Sequence, residues 1–455
     1  MTLLLLLAAL IPAARAATPA QAPAPIPSLA IERHTLANGL TVLLREDHAS
    51  PVVAVNIWYN VGSKNEEPGR TGFAHLFEHY MFEGSAHVPG GEQFKEVFGM
   101  GGELNANTTN DRTDYYDVVP AENLEEVLRL ESDRMGFLDI NQRGLDKQRP
   151  IVKNEKRLRE NKAYSGIEAG MDQTVWDAGH PYKWPVIGSM QDLDAASVAD
   201  VKNFHDRYYL PNNAVIVVNG DQDNARTLAL IEKWFGGIPA GATPPALRVP
   251  PTGPMTARRE ATIDDPKAQL PMLIMAFRIP GNDKPGWRES QVAAKILGGG
   301  RTSRLVQKLK YDRRMVFDIE ADVEAQHEDD ILIIDAIPVP GVSIAQVEAA
   351  IRAELDEFAQ DGPTDREMAR VKAGLRAKEL NALQDAGDLA AAIAEGEGFH
   401  HDPEAVIHGG DAIMRMDKTA PRDSARRYLT RPNTAAIVIR PKPKAVPAPA
   451  IGGQP

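Results

Sequence analysis

One stretch of this chain, Gly72-Phe-Ala-His-Leu-Phe-Glu-His-Tyr-Met-Phe-Glu-Gly84, constrains its chemistry more than any other. If the stretch is helical, with 3.6 residues per turn, His75 and His79 lie on one face and Glu78 lies beside them. Two imidazoles one turn apart suit a zinc ion, which keeps a position open for water in catalytic sites. A carboxylate beside that water can act as a general base. The stretch therefore predicts a metal centre with the inverse of the HExxH pattern.

The residues around the motif agree with a short helix. Thr71 and Gly72 can begin it, and Gly84 and Ser85 can end it. The alternative is a chance match, because any short motif has false positives. The suitable boundaries favour the metal centre over chance.

The composition limits which ligands and partners the chain can use. None of its 455 residues is a cysteine, which excludes disulfides, thiolate zinc ligands and a cysteine nucleophile. Any metal must therefore be held by histidine and carboxylate. The formal net charge of -12 argues against nucleic acid or an anionic membrane as the main partner. The length predicts two or three domains, and the hydrophobic content of 43% is enough to give each a core.

The first residues have the pattern of a secretory signal peptide. An apolar run from Met1 to Ile11 is followed by Ala14-Arg15-Ala16, an A-x-A cleavage site. The run is too short to cross a bilayer of about 30 Å as a helix. We therefore predict a signal peptide at 1–16, an Ala/Pro-rich linker at 17–29, and a periplasmic or secreted protein with no membrane anchor after cleavage. An uncleaved anchor or a buried N-terminal helix is the alternative.

Short strands and helices follow each other along the rest of the chain in two comparable units. The first unit, 30–235, begins with a hairpin around the Asn38-Gly39 turn. A stiff, proline-rich linker is predicted at 236–260, a second unit at 261–441, and a flexible tail at 442–455. This mixture predicts an α+β fold of two homologous domains, each a mostly antiparallel sheet with helices packed on one face.

The ends of the two units resemble each other, as expected for a duplicated domain. Tyr208 to Val218 and Arg427 to Ile439 both read as the end of a helix, a turn and a strand. Matching Tyr209 with Tyr428 gives a repeat of 219 residues (428 − 209). Convergence on a common Pro-Asn turn is the alternative. In the second unit, the stretch that matches the motif helix, 291–300, contains no metal ligand, so we assign the chemistry to the first unit.

A tight zinc site needs a third protein ligand. A second helix, predicted at 145–161, offers Glu155 and Glu160. The residues themselves do not choose between the two, and either can be an ordinary solvated carboxylate.

Several short motifs together resemble the pitrilysin family of zinc metallopeptidases, and most of all its processing-peptidase-like branch. They are the HxxEH helix, Gly62-Ser63, Gly69-Arg-Thr-Gly72, Met81-Phe-Glu-Gly-Ser85, Gly101-Gly102 with Asn105-Ala106, and the helix around Glu155. The resemblance covers nearly all of the mature chain. It implies two homologous α+β domains in a chain of about this length.

The resemblance also implies which residues hold the metal. In the family, a distal glutamate follows the second histidine by some seventy-odd residues, and Glu155 follows His79 by 76 residues (155 − 79). His75, His79 and Glu155 would therefore bind one zinc ion. Glu78 would be the base that takes a proton from the zinc-activated water.

Substrate binding is a further implication of the resemblance. Family members hold a peptide as a strand added to a sheet edge, and the strand 103–108, with Asn105 and Ala106, matches that edge. For Asn105, a turn or bulge residue is the alternative. We expect a zinc endopeptidase that hydrolyses unfolded or extended peptides. A non-catalytic structural or peptide-binding subunit of a periplasmic complex is the alternative.

Three positions depart from the family pattern. Gln148 stands where members often carry a glutamate, and a neutral amide is not an equivalent proton acceptor. Lys310 and Phe317 stand where members carry an arginine and a tyrosine that grip the substrate near the metal. Lysine lacks the planar fork of arginine, and phenylalanine has no hydroxyl. The departure implies a heterodimer with a related chain that lacks HxxEH but carries the Arg/Tyr pair, with a homodimer as the alternative.

Three other histidines stand out in the sequence, namely His180, His400 and His401. No second set of ligands surrounds them at metal spacing. We interpret them as surface or packing residues.

Overall fold

A computed structural model describes residues 26–250, 252–282 and 284–442. The predicted signal peptide at 1–16, most of the predicted linker at 17–29 and nearly all of the predicted tail at 442–455 lie outside these residues. None of the helices in the described part combines the length and apolar character needed to cross a membrane.

The described strands form two sheets. The first contains β1 (Glu32–Thr35), β2 (Thr41–Glu46), β3 (Val52–Tyr59), β4 (Glu103–Thr108), β5 (Thr113–Pro120) and β6 (Ala214–Gly220), in the order β1-β2-β6-β3-β5-β4. The second contains β7 (Arg259–Asp265), β8 (Met272–Pro280), β9 (Val316–Val323), β10 (Asp329–Pro338) and β11 (Ala435–Pro441), in the order β7-β11-β8-β10-β9. All neighbouring strands are antiparallel except the pairs β2·β6 and β7·β11.

Helices follow the strands in both halves. Those of the first half are α1 (Phe73–Tyr80), α2 (Glu92–Gly99), α3 (Leu124–Phe137), α4 (Gln142–Glu160), α5 (Ile167–Val175), α6 (Met190–Ala195), α7 (Val198–Tyr208) and α8 (Asn224–Phe235). Those of the second half are α9 (Trp287–Leu297), α10 (Ile344–Asp361), α11 (Asp365–Ala382), α12 (Ala386–His400), α13 (Ala405–Arg415) and α14 (Thr419–Tyr428). A π-helical segment, Val306–Asp312, precedes β9.

The two sheets share one topology. In order and direction, β2, β6, β3, β5 and β4 correspond to β7, β11, β8, β10 and β9, and β1 is an additional edge strand. An equivalent hydrogen bond lies in the turn that precedes β6 and in the turn that precedes β11. The side-chain amide of Asn213 donates to the carbonyl of Tyr208 at 2.8 Å, and that of Asn433 donates to the carbonyl of Tyr428 at 2.7 Å. Because both bonds span five residues, Tyr208 rather than Tyr209 is equivalent to Tyr428, and the predicted repeat of 219 residues is short by one.

One helix of each half packs on the sheet of the other half. Leu389 and Ile393 of α12, in the second half, pack against Trp58 and Val217 on the outer face of the first sheet. In return, α5 of the first half packs on the second sheet, where its residues 171 and 175 contact apolar side chains of β8 and β11. The remaining helices cover the opposite face of each sheet. Helices therefore pack on both faces of each sheet, and the central strands β3, β6 and β8 are buried on both sides.

The α+β fold with two related domains is confirmed. Three elements of the second half were not predicted. They are the helices α12 and α13 and the strand β7, which begins at Arg259 inside the predicted linker at 236–260. The domain boundaries themselves stay predictions.

Candidate metal centre

The start of α1 is fixed by two neighbours. Gly72 has a φ of 85°, and a Cβ added there would lie 2.7 Å from the carbonyl oxygen of Ile187, so a larger residue would not fit. The buried carboxylate of Glu66 accepts hydrogen bonds from the backbone N–H groups of Gly72 at 2.9 Å and Ala74 at 2.8 Å. A carboxylate suits these free N–H groups and the positive end of the helix. The helix ends at Tyr80, earlier than the predicted end near Gly84.

His75 and His79 lie on the face of α1 that is directed toward α4. On its other face, Phe73, Leu76, Phe77 and Tyr80 are buried in the core of the first half. The Nε2 atom of His75 lies 3.6 Å from Oε2 of Glu155, and that of His79 lies 3.3 Å from the same oxygen. The structure therefore brings together the three residues that the sequence proposed as ligands.

These three side chains fit a zinc ion. Their donor atoms all lie within 4.8 Å of one another. Ligands bound at about 2.0–2.1 Å around a tetrahedral ion are roughly 3.4 Å apart, close to the observed 3.3 and 3.6 Å. Burial, together with the neighbouring His79, lowers the pKa of His75 to about 4. Its imidazole is therefore neutral at pH 7, which is the form that binds a metal.

The structure distinguishes the two glutamates that the sequence left open. Arg159, one turn beyond Glu155 on α4, binds Oε1 of Glu155, and the other carboxylate oxygen faces the histidines. Glu160, whose side chain is exposed, pairs with Lys156 at 3.1 Å and does not line the cleft described below. Glu155 is therefore the glutamate positioned to complete the ligand set.

Glu78 lies beside the ligand cluster. Burial raises the pKa of its carboxyl, while a hydrogen bond from Thr108 and the nearby His79 act in the opposite direction. The Thr108 hydroxyl donates to Oε2 of Glu78 at 2.5 Å. Glu78 therefore lines the same cleft as the three candidate ligands.

These residues line an open cleft of about 670 Å³ between the two halves. The first half contributes the three ligand residues, Glu78, Arg159, Glu168, Val186 and residues 105–112. The second half contributes Glu324, Ala325, Gln326, Glu395 and Phe399. The cleft is large enough to admit a peptide segment, and the predicted substrate strand lies along it.

That strand, β4, is the outermost strand of the first sheet and pairs with β5 alone in the described part of the chain. Asn105 and Ala106 both line the cleft. The register is continuous through Asn105, which lies opposite Tyr116, so the alternative of a bulge at Asn105 is wrong. The other edge of β4 is available for a further strand.

The structure does not bring the predicted substrate residues of the second half into the cleft. Lys310 pairs with Asp318 at 2.7 Å and lines a separate cavity. Phe317 is 49% exposed and lines neither space. The two residues lie on the π-helical segment and on β9, away from the edge of the second half that faces the ligands. Gln148 also points elsewhere, because its amide donates to Glu83.

Within the part of the chain that the structure describes, the other histidines belong to no such cluster. Among the described residues, His75, His79 and Glu155 are the one group of three such side chains close enough to share an ion. His180 is buried, and its ring stacks on Trp176 with centroids 4.2 Å apart, which agrees with a packing role.

Several cleft residues were missed in the sequence. Thr108 could have been found from the alternation of a strand, since it follows Ala106 by two positions. Arg159 could have been found from its helical spacing to Glu155. No local pattern marks Glu395 or Phe399, because they reach the cleft only through the packing of α12 on the first sheet.

Two models of one protein family match successive parts of this chain. A family model described as "Insulinase (Peptidase family M16)" matches residues 41–171, and one described as "Peptidase M16 inactive domain" matches residues 195–375. The second match starts before β6, which pairs within the first sheet. A zinc protease named PqqE, from Helicobacter pylori, is 27% identical over 369 residues, which is 80% of this chain and 82% of that protein.

Solved structures have the same fold. A protease from Helicobacter pylori superposes with a TM-score of 0.85 at 24% identity, over 90% of this chain and 99% of that one. The periplasmic protease PqqL from Escherichia coli superposes with a TM-score of 0.76 at 20% identity. That match covers 92% of this chain but 48% of PqqL, so this chain corresponds to about half of PqqL.

Proposed function

The chain belongs to the insulinase family, peptidase family M16, and from this premise we propose that it is a zinc-dependent endopeptidase with Glu78 as its general base. The observation that carries the proposal is the convergence of His75, His79 and Glu155 beside Glu78 in an open cleft. The named relatives support it, since PqqE is described as a zinc protease.

The residues around the ligand cluster have separate tasks. A zinc ion held by His75, His79 and Glu155 would supply Lewis-acid chemistry toward a water and a peptide carbonyl. Glu78 accepts the proton of the attacking water and delivers it to the departing amine nitrogen. Arg159 holds one oxygen of Glu155, which leaves the other oxygen free to act as the ligand.

The substrate is an unfolded or extended peptide. Residues 105 and 106 of β4 line the cleft, and a peptide added to the free edge of this strand would be held mainly by backbone hydrogen bonds. Backbone pairing favours an extended conformation over a particular sequence. We therefore expect broad specificity among chains without stable folded structure.

The active form is a dimer, and we favour a heterodimer with a related chain that lacks HxxEH but carries the Arg/Tyr pair. Two observations support this. Lys310 and Phe317 do not line the cleft of their own chain. In addition, the PqqL chain that this chain matches is about twice as long as this chain. A homodimer is the alternative. The description of PqqL as a periplasmic protease and the predicted signal peptide support a periplasmic location.

The test is cleavage of unstructured peptides by the purified, zinc-loaded chain, alone and with any co-purified partner, followed by mass spectrometry. We expect Glu78→Gln to keep its zinc and to lose about 10²- to 10⁴-fold in kcat, the usual contribution of a general base. Glu160→Gln, an exposed glutamate on α4, is the matched control and should cleave normally. If the wild type binds zinc but cleaves no peptide even with its partner, the chain is a peptide-binding or structural subunit instead.

Light scattering after size-exclusion chromatography tests the dimer. A particle with two different chains, whose cleavage rate exceeds that of the isolated zinc-bearing chain, is expected. Equal activity of a homodimer or monomer would contradict the heterodimer.

A further inference from the structure

The hydroxyl of Thr108 contacts Glu78 and no metal ligand. Its Oγ1 atom lies 2.5 Å from Oε2 of Glu78 and 3.4 Å from Oγ1 of Thr113. Thr108 is the last residue of β4, and on this strand positions 104, 106 and 108 are less exposed than their neighbours at 103, 105 and 107. The hydroxyl therefore projects from the inner face of the strand that is proposed to bind the peptide.

The direction of this hydrogen bond follows from counting protons. Thr113 donates its own proton to the carbonyl oxygen of Val61 at 2.9 Å. Thr108 has a single hydroxyl proton, and the nearer acceptor is the carboxylate of Glu78. Thr108 therefore donates to Glu78, and a hydrogen bond to a carboxylate is of the stronger, charge-assisted kind.

This bond leaves the two oxygens of Glu78 in different states. Oε2 is held by Thr108, whereas Oε1 has no hydrogen-bond partner within the described residues. A carboxylate with one oxygen fixed has lost most of its freedom to rotate about its last side-chain bond. The free oxygen is then kept in one direction, as a base that must meet the attacking water requires.

We propose that Thr108 is a positioning residue that orients the Glu78 carboxylate and couples it to the substrate strand. The proposal rests on the proposed function, because it assigns Thr108 a role in the same site. A peptide added to β4 would order the strand that carries Thr108, so substrate binding and the orientation of the base would depend on one element. Thr108 is not one of the three candidate metal ligands.

The test compares Thr108→Val, which keeps the shape and removes the hydroxyl, with Thr108→Ser, which keeps the hydroxyl. We expect Thr108→Val to lower kcat by about 10- to 100-fold, the scale of a small misplacement of a reacting group. The KM and the zinc content should stay within about twofold of the wild type, since the ligands and the edge of β4 are untouched. Thr108→Ser should recover most of the loss. Thr41→Val, the same change on β2, is the control and should have no effect.

Two results would overturn the proposal. One is a Thr108→Val enzyme with normal kcat, and the other is a Thr108→Ser enzyme as slow as Thr108→Val. In a Glu78→Gln background, Thr108→Val should cause no further loss, because the group that it orients is gone. An additional loss there would mean that Thr108 acts elsewhere.

A crystal structure of zinc-loaded Thr108→Val supplies a readout that does not depend on turnover. The Glu78 carboxylate should be rotated or occupy two positions, and an unchanged carboxylate would also overturn the proposal. If the wild type cleaves no peptide, the proposed function fails, and the crystal structure still decides whether Thr108 orients Glu78.

Discussion

The indole ring of Trp58 and the phenyl ring of Phe399 pack edge to face, with centroids 4.9 Å apart and ring planes at 81°. Trp58 belongs to β3 of the first half, and Phe399 belongs to α12 of the second. His327, from the loop between β9 and β10, stacks on Phe399 with centroids 4.5 Å apart. Since Phe399 also lines the cleft, the same aromatic contact that joins the halves forms part of the wall of the cleft that contains the candidate metal ligands.

The close approach of α12 to Trp58 depends on Gly398. A Cβ added there would lie 2.7 Å from Cε2 of Trp58 and still nearer to Nε1. Because the indole is only 2% exposed and cannot move freely, we expect Gly398→Ala to lower the free energy of unfolding by about 1–3 kcal/mol. This loss would outweigh the gain of up to about 1 kcal/mol that alanine brings to a helix.

Gly374 in α11 is the matched control, because a Cβ there meets no atom within 4 Å. Gly374→Ala should stabilise the protein by about 0.5–1 kcal/mol. Urea unfolding of both variants shows whether each change lowers or raises the free energy of unfolding. Equal stabilisation by both changes would show that α12 does not press on Trp58 in solution.

The proposed third ligand, Glu155, can be tested by metal binding alone. Glu155→Gln replaces a charged ligand with a neutral amide, and we expect its zinc affinity to fall by more than about 100-fold, beyond the usual effect of residues that only support a ligand. Glu160→Gln, on the same helix, changes the charge equally and should bind zinc as the wild type does. Zinc content after dialysis against a graded series of chelator concentrations measures both. If Glu160→Gln loses zinc and Glu155→Gln keeps it, then Glu160 and not Glu155 is the third ligand.

A second connection between the halves is ionic. Lys64 is 11% exposed, and its ammonium lies 3.2 Å from Asp111 in the first half and 2.9 Å from Glu328 in the second. Asp111 also accepts hydrogen bonds from the Tyr182 hydroxyl and from the backbone N–H of His327. The turn that follows β4 is therefore tied to the second half through one carboxylate.

Removing Lys64 should leave a buried carboxylate without its cation. We expect Lys64→Met to lower the free energy of unfolding by about 3 kcal/mol. Lys202→Met, which breaks an exposed pair with Asp206, should change it by less than about 0.5 kcal/mol. Thermal and urea unfolding of the two variants, side by side, provide the comparison, and similar small effects would mean that the buried pair contributes little.

Local signals in the sequence predicted much of the first half. Strands β1 and β2 form the predicted hairpin around the Asn38-Gly39 turn, where Gly39 has a φ of 87°. These features depend on turn chemistry and on residues close in the chain. The motif histidines were predicted for the same reason, because their geometry is set by one turn of helix.

Features that depend on distant contacts were missed. Helix α12 is rich in alanine and glycine, and it is stabilised by burial against a sheet formed more than 150 residues earlier. The N-cap residue Asp385, whose side chain accepts a hydrogen bond from the N–H of Asp388, is a local sequence signal that marks the start of this helix. Glu155 could be chosen over Glu160 only through the family resemblance, since the distance from α4 to α1 is a property of the packed structure.

Asp335 on β10 should make stability depend on pH. It lies directly opposite Glu320 of β9, and burial, together with the like charges of Glu320 and Asp318, raises the pKa of its carboxyl to about 6. The ordinary value is 3.8, so the folded state holds this proton more tightly than the unfolded state does. The stability contributed by the protonated form is complete below about pH 4 and is lost as the pH rises through 6.

Asp335→Asn mimics the protonated carboxyl at every pH. Relative to the wild type, we expect little change in the free energy of unfolding at pH 4 and a gain of about 1 kcal/mol at pH 7.5, a value reduced for solvent screening of this half-buried group. Glu320→Gln removes the like charge that faces Asp335, and it should also raise the free energy of unfolding more at pH 7.5 than at pH 4. Glu357→Gln, an exposed carboxylate on α10, is the control. Urea unfolding at both pH values measures the difference, and a gain that is equal at pH 4 and pH 7.5 would exclude titration of Asp335 as its cause.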